Sequence, residues 1–194
     1  MPAFLKDLKK IMKKDKSKAG KLPNGEYRST PPNVISRDIA NYTVLKVARL
    51  DVTPKPKKNY IEFEGVVSSE SKAGLKYRVL MRFHDVEFKP KADSQKQDFI
   101  SVMEKGKKVK MYYGKPTIRK NMVSMKCTCK DFQHRFSHEL ADVDSLIGKP
   151  IPYKRKTPEW PDGYPYANVT SKQGFCKHIH SMVEYLKKKE LITE

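Results

Sequence analysis

The chain has 194 residues, 38% of them hydrophobic, so it can bury the core of one ordinary domain or of two small ones. Lysine and arginine total 41 against 22 acidic residues, giving a formal net charge of +19. Such a surplus indicates a polyanionic partner: nucleic acid, an acidic protein surface or an anionic membrane, of which the membrane is the least favoured because the basic helix is short. A solubilising lysine-rich surface is the alternative. No apolar run is long enough to span a bilayer and no signal-peptide pattern is present, so we expect neither a membrane partner nor secretion.

The first predicted element is a short basic amphipathic helix over 3–14, followed by a turn-rich linker over 17–33. Ordering such an arm costs roughly 1–2 kcal/mol per residue and offers few internal contacts. We therefore expect residues 1–22 to contact another chain or nucleic acid rather than this chain's own core. The predicted partner-binding residues are Phe4, Leu8, Lys9, Lys10, Met12, Lys13 and Lys14.

The middle of the chain, 34–121, is predicted to form an antiparallel β domain with one helix. Period-two alternation predicts strands in "YTVLKVARLDV", "NYIEFEGVV" and "KYRVLMRFHDVEF". Ser94 and Gln97 resemble a capping box that would open a helix through "QDFISVMEK" and end at Gly106. "KKVKMYY" and "NMVSMKC" predict a further hairpin, whose second strand carries two cysteines.

The third predicted unit covers 122–194. The segment "KDFQHRFSHELADVDSLIG" is predicted to be helical, and 149–174 is predicted to be a long irregular insertion because it is rich in proline and aromatic residues. An apolar stripe predicts a final helix from about residue 176.

All three cysteines lie beside histidines, in "MKCTCKDFQHRFSHEL" and "GFCKHIHSMVEYL". Alternation along a strand places Cys127 and Cys129 on one side. Cys176 and His178 would begin a helix whose first turn presents both to one point and whose dipole favours the thiolate. Three thiolates and an imidazole form a complete tetrahedral set for one structural Zn²⁺. The alternative to a metal site is that the three cysteines are reduced, are buried or incidental, and bind no metal.

Other histidines compete for the metal. His180 lies two residues beyond His178, so on a helix it would face away from the same point. His134 and His138 lie one helical turn apart, a spacing that can bind metal, although surface or phosphate contact is commoner. His84 alone in a strand indicates nothing.

The pattern C-x-C…C-x-H resembles the SWIM-type zinc module, a small ββα unit associated with binding DNA or protein. The resemblance covers about 122–190 and implies the ligands Cys127, Cys129, Cys176 and His178. The stretch between the two pairs is long for that family. "CTCKDFQHRF…GFCKHI" is also similar to segments of uncharacterised virion-associated proteins of tailed bacteriophages.

The predicted fold class is therefore α+β: a small antiparallel sheet domain (34–121), an N-terminal basic helical arm (1–33) and a C-terminal ββα zinc-binding subdomain (122–194). The zinc would supply folding energy to a subdomain too small to build its own core. Asp131 is a candidate to orient a ligand, and Phe132 and Phe136 should pack under the site.

The resemblances imply a zinc-stabilised structural or assembly protein of a tailed-phage particle, at the head–tail junction or in the tail. Its partners would be other virion chains in a symmetric assembly, with DNA as a further candidate, and it would reside in the virion after synthesis in the host cytoplasm. The alternative is a stand-alone zinc-containing DNA-binding protein, regulatory or recombinational, although no recognition helix is evident. A zinc hydrolase or nuclease is the weakest hypothesis, because a catalytic zinc needs an open position and a site with four protein ligands is closed.

Overall fold

The computed structural model describes residues 2–14, 43–92, 97–104, 106–151 and 174–194. Within these ranges the chain forms a mixed fold of four α-helices, one 3-10 turn (Pro56–Lys58) and seven strands. The helices are α1 (Leu5–Lys14), α2 (Lys130–Arg135), α3 (Ser137–Ala141) and α4 (Lys177–Lys188). The strands are β1 (Val47–Lys55), β2 (Tyr60–Ser68), β3 (Lys76–His84), β4 (Phe88–Lys89), β5 (Asp98–Glu104), β6 (Lys107–Tyr113) and β7 (Val123–Cys127). None of the helices formed by these residues is long and apolar enough to cross a membrane.

The larger sheet is antiparallel, with the strand order β1-β2-β3-β7. Its first three strands confirm the period-two prediction. Burial alternates strictly along β2, where Ile61 and Phe63 point inward and Glu62 and Glu64 point outward. This alternation gives the sheet one apolar face and one charged face.

Helix α4 covers the apolar face of the larger sheet and confirms the predicted final helix. Its buried stripe includes Ile179, Met182 and Leu186. The helix comes close to β2 at Gly65, where a Cβ atom would lie 2.6 Å from Sδ of Met182. Glycine at this position therefore sets the distance between helix and sheet.

The smaller sheet has three strands in the order β4-β6-β5, and it corrects the helix predicted through "QDFISVMEK". Residues 98–104 form strand β5. The apolar residues Phe99, Ile100, Val102 and Met103 fit a helical spacing, but Ile100 and Val102 pair with Met111 and Val109 of β6. Pairing with a neighbouring strand thus overrides the local pattern. The proposed cap residue Ser94 lies outside the described residues.

The predicted hairpin of "KKVKMYY" with "NMVSMKC" is also wrong. Both segments are strands, but β6 pairs with β4 and β5, whereas β7 pairs with β3. Cys127 lies opposite Val79, so the cysteine strand is the fourth strand of the larger sheet. The helical prediction after it is confirmed in part, since the segment forms two short helices separated at Phe136.

The N-terminal arm packs on this chain's own core, which corrects the expectation for its first residues. The side chains of Leu5 and Leu8 are fully buried, and the Val123 N–H donates to the Ala3 carbonyl at 2.9 Å. Lys9 Nζ lies 2.9 Å from Glu184 Oε1 on α4. The physical reason is that the arm covers the start of the free edge of β7, where backbone groups would otherwise be unpaired, and residues 145–147 cover that edge farther along.

Three of the residues predicted to bind a partner therefore contact this chain instead. Leu8 is a core residue, and Phe4 is half-buried and forms an antiparallel β-bridge with Met122. Lys9 forms an ion pair with Glu184. The side chains of Lys10, Met12, Lys13 and Lys14 lie outside the described residues. So do the linker over 17–33 and most of the insertion over 149–174.

Candidate metal centre

The first pair of candidate ligands lies where strand β7 ends and helix α2 begins. Cys127 is the last residue of β7, and Cys129 is the N-cap of α2. The Sγ of Cys129 accepts a hydrogen bond from the Phe132 N–H at 3.3 Å, in the manner of an N-cap oxygen. Between them, Thr128 is held by β3, because the Arg78 N–H donates to its hydroxyl at 3.0 Å.

The second pair lies at the start of helix α4. Cys176 is its N-cap, and His178 lies in its first turn. Both side chains are buried, with Cys176 at 0% and His178 at 4% exposed. The helix N-terminus places the positive end of the dipole at the sulfur, which offsets part of the cost of a buried thiolate there.

The two pairs meet in the folded chain, which confirms that these four residues form one cluster. Their ligand atoms all lie within 4.8 Å of one another, and all four residues are buried. Donors held at 2.0–2.3 Å from a tetrahedral ion lie roughly 3.4–3.8 Å apart, so the cluster needs only a small contraction to bind one. We call Cys127, Cys129, Cys176 and His178 the Cys/His cluster.

The imidazole of His178 gives a direct indication of a missing partner. Both ring nitrogens are buried, and neither has a hydrogen-bond partner among the described residues. Tyr77 packs against the ring, with centroids 4.4 Å apart. An unsatisfied buried donor or acceptor costs about 1–3 kcal/mol, and coordination by one nitrogen would remove part of that cost.

The pKa values of the three thiols indicate that a divalent cation would stabilise the cluster. Burial raises the pKa of the Cys127 thiol and of the Cys176 thiol. Hydrogen bonds from the Cys127 and Cys176 thiols lower the pKa of Cys129 instead, so one thiolate is stabilised at the expense of the other two. A dication at the centre allows all three to ionise. Three sulfurs and one imidazole nitrogen are a donor set that fits Zn²⁺ and does not suit Mg²⁺ or Ca²⁺.

The competing histidines lie outside the cluster. His180 is on the same helix, but its neighbours are Glu184 and Lys9, and burial lowers its pKa. His138 Nε2 donates to the Ile151 carbonyl at 3.0 Å, and His84 Nε2 lies 2.8 Å from Ser124 Oγ. His134 is likewise absent from the group of residues that could share an ion.

The surroundings of the cluster were predicted in part. Phe132 and Phe136 are buried in the core, as expected, and Asp131 forms an ion pair with Arg135 across one helical turn at 3.6 Å. Sequence reasoning missed Tyr77, since its place beside His178 depends on the pairing of β3 with β7. A period-two alignment of "KYRVLMRF" against "NMVSMKC" was the available signal.

No family model matches the chain, and no curated protein or solved structure is detectably similar to it. The assignments to the SWIM type and to bacteriophage proteins thus rest on the sequence motifs.

Proposed function

We propose that the protein is a zinc-stabilised structural protein that acts by binding other macromolecules and not by catalysis. The observation that carries the proposal is the Cys/His cluster itself, a buried set of four donors within 4.8 Å of one another. Four protein ligands complete a tetrahedral shell, so no coordination position is left for water or substrate. A metal held in this way contributes folding energy and fixes the elements that carry its ligands.

The elements fixed by the metal are the ones that hold the fold together. The cluster connects the edge strand β7, the start of α2 and the start of α4. Helix α4 in turn covers the larger sheet, and α1 is tied to α4 through Lys9 and Glu184. The structural role of zinc would therefore extend to the sheet and to the N-terminal arm.

We further propose that this structural role is exercised in a tailed-phage particle, at the head–tail junction or in the tail. The support is the similarity of "CTCKDFQHRF…GFCKHI" to segments of virion-associated proteins, together with the net charge of +19, which suits acidic partner chains or packaged DNA. The alternative function, a stand-alone DNA-binding protein, is favoured by the same charge.

Two measurements test these proposals separately. Elemental analysis of the purified protein should find one zinc per chain, and a value far below one would refute the metal assignment. Mass spectrometry of particles purified from cells infected with the phage that encodes the chain should detect it as a virion component. Its presence in infected cells and absence from particles would favour the DNA-binding alternative.

A further inference from the structure

The smaller sheet presents one face that combines aromatic and basic side chains. Antiparallel pairing sets Phe99 opposite Tyr112 and Ser101 opposite Lys110. Met103 lies opposite Lys108 in the same register. Because side chains alternate between the two faces of a strand, these six residues share one face. We call it the aromatic–basic face.

This face is directed to solvent. Phe99 is 50% and Met103 is 63% exposed, and both are large apolar side chains on a strand. The opposite face is half-buried, and its aromatic residues Phe88 and Tyr113 pack against the hydrophobic core. An exposed apolar face of this kind marks an interaction site or an aggregation liability.

The geometry of the face is that of a stacking surface with cations beside it. The rings of Phe99 and Tyr112 have centroids 5.6 Å apart. Lys110 Nζ lies 4.7 Å from the centroid of Phe99. Neither Lys108 nor Lys110 forms an ion pair with a carboxylate of the described residues.

The outer face of the larger sheet differs in this respect. There Arg78 pairs with Glu64 and Arg82 pairs with Glu62 across β2 and β3. Those cations are neutralised within the protein, whereas the lysines of the aromatic–basic face retain their charge for a partner. The chain as a whole has a formal net charge of +19, so a partner that neutralises these lysines must be anionic.

We propose that the aromatic–basic face binds single-stranded nucleic acid. Unpaired bases stack on the rings of Phe99 and Tyr112, and the backbone phosphates contact Lys108 and Lys110, which is how sequence-tolerant single-strand binders combine the two contacts. A duplex hides its base faces and could use only the lysines. An acidic protein would gain from the lysines but would leave the exposed ring of Phe99 without a matching partner.

The inference extends the proposed function by naming a partner and its surface, and it does not depend on the identity of the metal. The test is fluorescence anisotropy of the full-length, metal-loaded protein with labelled oligothymidylate of about 20 nucleotides and with a duplex of the same length. The wild type should bind the single strand more tightly than the duplex. Phe99→Ala should weaken single-strand binding about tenfold and leave duplex binding nearly unchanged.

Two further variants separate stacking from charge. Phe99→Leu retains an apolar side chain but no ring, and it should behave like Phe99→Ala. Lys110→Gln should lower the slope of log affinity against log salt by about 0.7, because one phosphate contact is lost. The matched controls are Val52→Ala, an exposed apolar residue of β1, and Lys58→Gln, an exposed lysine before β2, and both should bind like the wild type.

The proposal is overturned if the wild type fails to bind oligothymidylate or prefers the duplex, or if Phe99→Ala binds as tightly as the wild type. Zinc content and circular dichroism of each variant should match the wild type. A failure of this inference would leave the zinc stoichiometry unchanged, so it is distinguishable from a failure of the proposed metal site.

Discussion

The two antiparallel sheets are built from strands with similar alternation, yet they stand in different surroundings. The four-stranded sheet is covered on one face by α4, and the free edge of its strand β7 is covered by the N-terminal arm and by residues 145–147. The three-stranded sheet leaves Phe99 and Met103 exposed, and among the described residues β5 has a strand on one side only. The comparison indicates that buried contacts are concentrated in the first sheet, whereas the second presents apolar side chains to solvent.

Loss of the metal should have the largest effect, and it should fall on the four-stranded sheet. Cys176→Ser removes one ligand from the cluster, and we expect a cost of at least about 4 kcal/mol, since breaking a structural metal site is among the most destabilising changes known. Hydrogen exchange should show lost protection in β3, β7 and α4. Unchanged protection of α4 after zinc removal would contradict the account.

A matched pair of substitutions on α4 serves as the control for that experiment. His178→Ala should abolish zinc binding, because the imidazole is one of the four ligands. His180→Gln should retain one zinc per chain, since this residue lies toward Glu184 and Lys9. Equal loss of zinc in both variants would show that the ligand assignment is wrong.

The second prediction compares an arm residue with a residue of the exposed face. Leu8 is fully buried, so Leu8→Ala should destabilise the protein by about 2–4 kcal/mol. Met103 is 63% exposed, and Met103→Ala should change stability by less than about 0.5 kcal/mol. Chemical denaturation of the two variants measures both. Equal and small effects would mean that the N-terminal arm does not belong to the core.

The third prediction concerns the contact between α4 and β2. Gly65→Ala adds a methyl group 2.6 Å from Sδ of Met182, which is the flexible end of its side chain. The methionine can shift, so we expect a cost of about 1 kcal/mol rather than unfolding. Combination with Met182→Leu, which shortens the contacting side chain, should change that cost in a double-mutant cycle. Additive effects would contradict the close approach.

The smallest expected effect lies on the outer face of the larger sheet. Arg82 pairs with Glu62, with the two side chains 33% and 17% exposed. Arg82→Gln should lower stability by about 0.5–1 kcal/mol, and the difference from the wild type should shrink as salt is added. Thermal denaturation at two ionic strengths checks this. A salt-independent loss would indicate that packing, and not charge, is what the arginine contributes.

The sequence alone predicted the three long strands because alternation along a strand is a local signal. The spacing within each ligand pair, Cys127 with Cys129 and Cys176 with His178, is also local, and the two distant pairs were joined by the donor set that one zinc ion requires. Helix α4 was predicted for the same reason, since its apolar stripe lies within one continuous segment.

The errors arose where distant parts of the chain decide the structure. The apolar spacing of residues 98–104 fits a helix, but these residues form a strand because they pair with β6. Strand β7 was expected to pair with β6, the strand before it in the sequence, but it pairs with β3. The docking of Leu8 was missed because nothing in the first residues reveals that β7 is an edge that needs covering. Each case is a long-range contact overriding a local preference.

The central claim is a closed metal site in which Cys127, Cys129, Cys176 and His178 hold one zinc ion. X-ray absorption at the zinc edge of the purified full-length protein tests it most directly, because it reports the donor atoms and their distances. The account predicts one zinc per chain with three sulfurs at about 2.3 Å and one nitrogen at about 2.0 Å. A shell that contains an oxygen donor from water, or fewer than three sulfurs, would contradict it.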